Sequence, residues 1–250
     1  MKIFSRTYMV GSGEFGLSNE MDCHVYLVDC GRELALVDTG VGLETDMILR
    51  NIRSEGFKAE DITTVLLTHC HADHAGGCRR IKEETGCSVA ATRDEARVIE
   101  GGTDTELGLD VAKTSGIYPR SYRYEHCRVD KVVKHGDEIR VGECSFKVFE
   151  IPGHSWATAC YLLELEGRRA LFSSDVVFYG GTIGLGNWPG SSLENYRKYL
   201  RRLGGLNVDI LLPGHFTWTL RNGQKHIDRA LENLKRAWVP PAWRHHHFHV

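Results

Sequence analysis

The most informative stretch of this chain reads Thr68-His69-Cys70-His71-Ala72-Asp73-His74, and it directly follows the apolar run Thr64-Val65-Leu66-Leu67. Three imidazoles and one carboxylate lie together here, just after a predicted buried strand. In an extended loop His69 and His71 point to the same side, because alternate side chains share a face. Asp73 and His74 lie at the start of a helix predicted over residues 75–85 and can point to a neighbouring spot. The stretch therefore predicts two metal ions held side by side, since imidazole nitrogen and carboxylate oxygen both bind divalent metals.

The segments around this stretch alternate between strand and helix patterns. Residues 24–29 and 33–38 are β-rich runs joined by the turn Cys30-Gly31, which predicts a hairpin. A helix is predicted over residues 43–55, where apolar side chains recur at helical spacing before Gly56. Residues 64–67 and 88–91 predict two further strands.

The second half of the chain repeats this order. Residues 161–164 and 170–175 predict another hairpin, and a strand over 208–212 leads into Pro213-Gly214-His215. Two such halves packed face to face predict an α/β fold, a four-layer αββα sandwich of two pseudo-repeated halves with the helices outside. No Pro/Ser-rich linker separates the halves, so a single domain over residues 1–250 is predicted.

Three further residues of metal-binding type stand at predicted strand ends. His154 follows the strand over 146–151, Asp175 ends the second hairpin, and His215 follows the strand over 208–212. A lone histidine is usually structural, but these positions match the repeat and can join the cluster. Asp38, at the end of the first hairpin, is either an acceptor for the free N–H of a ligand histidine or a residue that caps its own turn.

Composition excludes several classes of function. With 31 Lys+Arg against 33 Asp+Glu the net charge is -2, so we expect no nucleic-acid partner. No apolar segment is long enough to cross a bilayer, so we expect no membrane partner. The eight cysteines include no C-x-x-C pair, which favours free thiols and a cytoplasmic location.

The histidine-rich stretch resembles the H-x-H-x-D-H signature of the metallo-β-lactamase superfamily, and the resemblance extends over about residues 20–237. It implies that His69, His71 and His154 bind one metal ion. It implies that Asp73, His74 and His215 bind a second, with Asp175 bridging both. Two divalent ions are expected, with zinc favoured and iron or manganese also compatible with these ligands.

The same resemblance implies an enzyme mechanism. Two such ions share a water, lower its pKa and supply a bridging hydroxide as nucleophile. Asp73 and Asp175 are the expected catalytic carboxylates, Asp73 by orienting the hydroxide. A bridging Asp is typical of the glyoxalase II-like, lactonase and phosphodiesterase branches, whereas the largest β-lactamase class has Cys there. We therefore expect hydrolysis of an ester, thioester or lactone.

Three alternatives remain open at this point. The stretch also resembles persulfide dioxygenases, which would bind a single iron through His69, His154 and Asp175 and consume O₂. A phosphodiesterase or β-lactamase-type hydrolase is a second alternative. A non-catalytic binding module with the same fold is the third.

Residues outside the repeat suggest where a substrate binds. The connection at about 100–128 is expected to overhang the site as a lid, with Arg120 and Arg123 gripping an anionic small-molecule substrate; otherwise it is a solvated segment whose tyrosines pack on the sheet edge. Tyr179 and Trp188 follow Asp175 and are further substrate-binding candidates. The His-rich tail at 238–250 has no assigned role, and the oligomeric state is left open.

Overall fold

Two β-sheets form the centre of the structure, a computed structural model that describes residues 1–242. In this part of the chain the first sheet has the strands β1 Lys2–Phe4, β2 Thr7–Gly11, β3 Val25–Asp29, β4 Leu34–Val37, β5 Ile62–Leu66, β6 Ser88–Thr92 and β7 Lys131–Val133, in that spatial order. The second sheet has the strands β8 Glu138–Val141, β9 Cys144–Ile151, β10 Thr158–Leu165, β11 Arg168–Ser174 and β12 Ile210–Pro213. Positions 243–250, most of the predicted His-rich tail, lie outside the described residues.

Strand directions reveal the predicted repeat. In the first sheet β3 and β4 form an antiparallel hairpin, and β5 then pairs parallel to β4. In the second sheet β10 and β11 form an antiparallel hairpin, and β12 pairs parallel to β11. The two pseudo-repeated halves are therefore confirmed.

The helices cover the outer faces of the two sheets. They are α1 Thr45–Ser54, α2 Ala72–Ala75, α3 Cys78–Thr85, α4 Arg93–Gly101, α5 Leu109–Thr114, α6 Leu193–Tyr199 and α7 Gly223–Leu234, with short 3-10 turns at Ala59–Asp61, Tyr179–Gly181 and Leu200–Leu203. None of the helices within residues 1–242 combines the length and apolar character that crossing a bilayer requires.

Alternation along β3 explains the layers. Tyr26 and Val28 belong to the apolar cluster between the sheets, together with Phe146 and Phe172 of the second sheet. Leu27, between them, faces the other way and belongs to the cluster under the helices of the first sheet. Successive strand residues point to opposite faces, so each strand serves two cores. Since a third cluster joins the second sheet to α6 and α7, the four-layer αββα sandwich is confirmed.

The helix after the histidine cluster differs from its prediction. It begins at Ala72 rather than Ala75 and is interrupted between α2 and α3 at Gly76 and Gly77. A Cβ atom at Gly76 would lie 2.3 Å from the carbonyl oxygen of Val41, and one at Gly77 would lie 2.3 Å from that of Thr39. These glycines let the helix start pack directly on the loop after β4. That contact fixes the position of the metal-binding stretch.

Candidate metal centre

The predicted metal ligands converge at one edge of the sandwich, where several strands end. His69, His71, Asp73 and His74 follow β5, and His154 follows β9. Asp175 and His215 follow β11 and β12, which are parallel neighbours. The structure therefore brings all seven predicted residues together.

Three histidine nitrogens define the first group. His69 Nε2 and His71 Nδ1 are 3.0 Å apart, and His154 Nε2 is 3.1 Å from each of them. Nitrogens around a tetrahedral zinc, each about 2.0–2.1 Å from the metal, are about 3.3 Å from one another. His154 Nδ1 donates to the carbonyl oxygen of Gly184 at 2.6 Å, which leaves Nε2 to face its partners. The group is thus close to the spacing that one metal ion requires.

Asp73, His74 and His215 form the second group. His215 Nε2 lies 3.1 Å from Asp73 Oδ2, and His74 Nε2 lies 3.5 Å from the same oxygen. His74 Nδ1 donates to Asp38 Oδ2 at 2.8 Å. His74 Nε2, His215 Nε2 and Asp73 Oδ2 therefore face one another, as the ligands of a second metal ion would.

Asp175 lies between the two groups. Its Oδ1 is 3.5 Å from His74 Nε2, while its Oδ2 is 3.5 Å from His154 Nε2 and 3.6 Å from His215 Nε2. His74 Nε2 and Asp175 Oδ1 are buried and form no hydrogen bond with any residue of the described chain. Buried polar atoms normally have partners, so these two atoms fit ligands of a metal ion. The donor set as a whole fits two divalent ions bridged by one carboxylate.

Burial sets the charge of the first group. It lowers the pKa of His69 and His154, and it lowers the pKa of His71 to about 3. These three rings are therefore neutral at pH 7 and keep the lone pairs that metal binding needs.

Carboxylates set the charge of the second group. Burial alone would lower the pKa of His74 and His215, but Asp73 and Asp175 raise the former well above its usual value and the latter to about 10. Burial alone would raise the pKa of both carboxyls, yet the facing histidines hold them well below their ordinary range. Metal binding would release the protons that the two histidines hold.

Asp38 supports the site from behind. Besides His74 Nδ1 it accepts two hydrogen bonds from Thr68, one from the backbone N–H and one from the hydroxyl, each at 2.8 Å. The backbone of Asp38 has φ 61°, in the left-handed region. Of the two roles predicted for Asp38, the structure bears out the acceptor for a ligand histidine.

Glu95 on α4 is a residue that the sequence analysis missed. It is fully buried, and its Oε1 accepts from the Ser155 hydroxyl at 2.5 Å and from the Ala157 N–H at 2.7 Å. Its Oε2 accepts from the Cys70 N–H at 2.9 Å. Glu95 therefore ties the loop of His69 and His71 to the loop of His154. One feature of the sequence could have indicated a buried Glu95: it lies three residues before Val98 and four before Ile99, on the apolar face of the helix.

A cavity of about 530 Å³, called here the site cavity, opens onto His71, Asp73, Asp175 and His215. The connection at 100–128 reaches it through Tyr118, whose hydroxyl donates to Asp73 Oδ1 at 3.0 Å. This segment therefore contributes to the lining of the cavity, and its role as a lid stays a prediction.

The predicted substrate residues are placed differently. Trp188 lines the site cavity, and its Nε1 donates to the His154 carbonyl oxygen at 2.7 Å. Arg120 and Arg123 are exposed and are not among the described residues that line the cavity. Tyr179 is 52% exposed and packs on His226 instead.

The reason for this placement is the packing of two tyrosines. Tyr118 and Tyr122 are buried and stack with ring centroids 5.2 Å apart, so the arginines between and after them face solvent. Arg120 and Arg123 therefore match the second of the two predictions for this segment, in which tyrosines pack and charged side chains are solvated.

Comparison with known proteins agrees with this geometry. A family model described as the Metallo-beta-lactamase superfamily matches residues 19–215. The chain is 25% identical over 233 residues to an atrochrysone carboxyl ACP thioesterase of Aspergillus fumigatus, covering 92% of this chain and 62% of that protein. It is 29% identical over 138 residues to a hydroxyacylglutathione hydrolase of Bradyrhizobium sp., covering 55% of this chain and 42% of that protein. The chain thus spans less than two thirds of both relatives.

Two further proteins are similar to this chain over most of their own length as well. An acyl-coenzyme A thioesterase of Gallus gallus is 27% identical over 230 residues, with 83% of this chain and 79% of that protein covered. The crystal structure of a subclass B3 metallo-β-lactamase of Bradyrhizobium japonicum superposes with a TM-score of 0.72 at 24% identity, covering 93% of this chain and 89% of that one. At this identity the structural likeness shows the fold alone.

Proposed function

The chain belongs to the metallo-β-lactamase superfamily, and from that premise we propose that it is a binuclear metal-dependent hydrolase that cleaves an ester, thioester or lactone bond. The observation that carries the proposal is Asp175, whose two carboxylate oxygens face His74 on one side and His154 and His215 on the other. A site for a single ion would not need a carboxylate between two groups of ligands. We propose a small molecule as the substrate.

Two bound divalent ions would supply hydroxide at neutral pH and polarise the scissile carbonyl. The residues of this chain would bind and position the two ions. Neutral His69, His71 and His154 offer nitrogen lone pairs on one side, and Asp73 and Asp175 offer ionised oxygens on the other.

Tyr118 is the residue of the cavity wall that acts most directly on these groups. Its hydroxyl donates to Asp73 Oδ1 and accepts from the Asp73 backbone N–H at 3.2 Å. These two contacts fix the Asp73 carboxylate in one orientation, which leaves Oδ2 to face His215. Trp188 and the apolar residues beside Tyr118 line the same cavity.

Among the three bond types we place thioesters first. Two of the similar proteins are named as thioesterases and a third as a hydroxyacylglutathione hydrolase. The bridging position of Asp175 supports the hydrolase as a whole, and the relatives' names support this choice of bond.

Metal analysis combined with a substrate panel tests the proposal. Protein produced without added metal is analysed for bound elements and then assayed anaerobically on thioesters, lactones and phosphodiesters. Two metal ions per chain with anaerobic thioester cleavage would support the proposal. One iron per chain with O₂ uptake on persulfides would instead establish the dioxygenase and refute the hydrolase.

A further inference from the structure

The site cavity has a wall without charge. The connection lines it with four apolar residues, which are Leu107, Val111, Ala112 and Ile117. Val111 and Ala112 lie on α5, Leu107 and Ile117 lie two and three residues beyond its ends, and Val111 is 37% exposed. We call these four residues the apolar wall. A surface of this kind contacts hydrocarbon rather than charged groups.

Another part of the lining is acidic. The segment between β2 and β3 contributes Glu14, Glu20 and Asp22 to the cavity, and we call these three residues the acidic lining. Among the described residues around the cavity there is no lysine or arginine. Glu14 is held against the site, because its Oε2 accepts from the Phe216 N–H at 2.8 Å.

We infer that the substrate of this site carries an uncharged, apolar acyl group that lies against the apolar wall, and that the acidic lining discriminates against acyl groups with a negative charge of their own. This inference rests on the proposed hydrolase and adds the class of its acyl group. It also replaces the anionic substrate expected from Arg120 and Arg123, which face solvent.

Negative charge on the acidic lining opposes an acyl group that is itself anionic. Glu14 lies in this lining beside the metal centre, with its Oε1 3.6 Å from His215 Nδ1. Burial raises the pKa of Asp22 to about 6, which still leaves it largely ionised at pH 7. An acyl chain that ends in a carboxylate would bring a like charge to these groups, at a cost in kcat/KM of about tenfold or more.

Contact with the apolar wall favours a longer acyl chain. Each methylene that leaves water for an apolar wall strengthens binding by up to about fourfold. Activity is therefore expected to rise by about two- to fourfold per added methylene until the wall is covered. A cavity that only held the reacting carbonyl would show no such dependence.

Matched thioesters on one small uncharged thiol test both parts with the metal-loaded full chain. The acyl groups are acetyl, butyryl, hexanoyl and adipoyl, the last being hexanoyl with a terminal carboxylate. We expect kcat/KM to rise from acetyl to hexanoyl and to fall about tenfold or more from hexanoyl to adipoyl. Equal rates on hexanoyl and adipoyl, or no rise with chain length, would overturn the inference.

Two pairs of variants locate the effect. Glu20→Lys should raise the adipoyl to hexanoyl ratio at least about fivefold, whereas Glu60→Lys, the same change at the far end of β5, should leave it unchanged. Val111→Asp should lower kcat/KM for hexanoyl about tenfold with little effect on acetyl, while Thr114→Asp on the exposed side of α5 should affect neither. If Glu60→Lys changed the ratio as much as Glu20→Lys, general electrostatics would explain it and the acidic lining would not.

Equilibrium binding separates this inference from the proposed function. Ketone analogues, in which a methylene replaces the thioester sulfur, are titrated and followed by tryptophan fluorescence. The hexanoyl analogue should bind about tenfold more tightly than the adipoyl analogue. If no thioester is cleaved but the hexanoyl analogue binds more tightly, the proposed hydrolase is refuted and the inference on the acyl group stands. If thioesters are cleaved but the two analogues bind equally, the inference is refuted and the proposed hydrolase stands.

Discussion

The metal centre and the apolar wall of the site cavity are built in opposite ways. At the centre, His74 and His154 are fully buried, and each is oriented by a second contact, to Asp38 and to the Gly184 carbonyl oxygen. On the wall, Val111 is 37% exposed and takes part through its apolar surface alone. The centre is therefore fixed by directional contacts, while the wall is defined by shape and hydrophobicity. Changes at the centre should abolish activity, and changes at the wall should alter only selectivity.

Replacing the bridging carboxylate should have the largest effect. Asp175→Ala removes an oxygen from both groups of ligands, so we expect kcat to fall about a thousandfold or more. Elemental analysis should show fewer than two metal ions per chain. Asp228→Ala, the same substitution on the exposed face of α7, is the control and should keep full activity. Unchanged activity of Asp175→Ala would show that the centre does not work as a bridged pair.

Glu95→Gln should have the next largest effect, a loss of metal affinity. Glu95 acts indirectly, because it does not contact the atoms that would bind the metal ions. The amide NH₂ of glutamine would face one of the N–H or O–H groups from which Glu95 now accepts a hydrogen bond. Two donors would then oppose each other, which would loosen the loop of His69 and His71 and the loop of His154. Outer contacts of this kind typically change metal affinity by about 10- to 100-fold. The measurement is a chelator competition, with the electronic spectrum of the cobalt-substituted protein as a second readout.

The control for Glu95 lies on the same helix. Asp94→Asn changes an exposed carboxylate in the first turn of α4 and should leave metal affinity unchanged. A Glu95→Gln protein with a lower melting temperature but normal affinity and cobalt spectrum would show that Glu95 serves stability only.

Tyr118→Phe tests the boundary between the two regions, because Tyr118 lines the cavity and also bonds to Asp73. Hydrogen bonds to charged groups contribute about 1.5–3 kcal/mol, so we expect kcat to fall at least about tenfold with metal content retained. Tyr179→Phe, on an exposed ring outside the cavity, should have no effect. A change in KM alone would assign Tyr118 to the wall rather than to the centre.

The smallest effect is expected for the double variant Arg120→Ala and Arg123→Ala. Both side chains are exposed and outside the cavity lining, so KM should change less than about twofold for neutral and anionic thioesters, and stability should change by about 0.5 kcal/mol at most. A rise in KM confined to anionic thioesters would return these arginines to the substrate site.

The two regions also differ in how far the sequence predicts them. Every predicted metal-ligand candidate joins the centre, because each lies shortly after a strand and these strands end at the same edge of the sandwich. The wall depends on which side chains of 100–128 turn inward, and this is decided by tertiary packing. Hydrophobic tyrosines take the buried positions, so Arg120 and Arg123, which the charge pattern favoured, face outward.

Glu95 escaped prediction for a related reason. Its role depends on two loops that lie far apart in sequence, and only the folded sheets bring Cys70 and Ala157 to the same carboxylate. A local pattern can indicate that such a carboxylate is buried, but not what it accepts from.

Gly76 has a consequence for redesign of the substrate range. A Cβ there would lie 2.3 Å from the Val41 carbonyl oxygen and 2.6 Å from the Tyr122 hydroxyl, and that hydroxyl donates to the same carbonyl at 2.8 Å. Tyr122 thus anchors the connection to the loop after β4, in addition to the contact between Tyr118 and Asp73. A connection taken from a relative would keep this contact if it carried a tyrosine at position 122, so Tyr122 is the residue to preserve when the segment is exchanged.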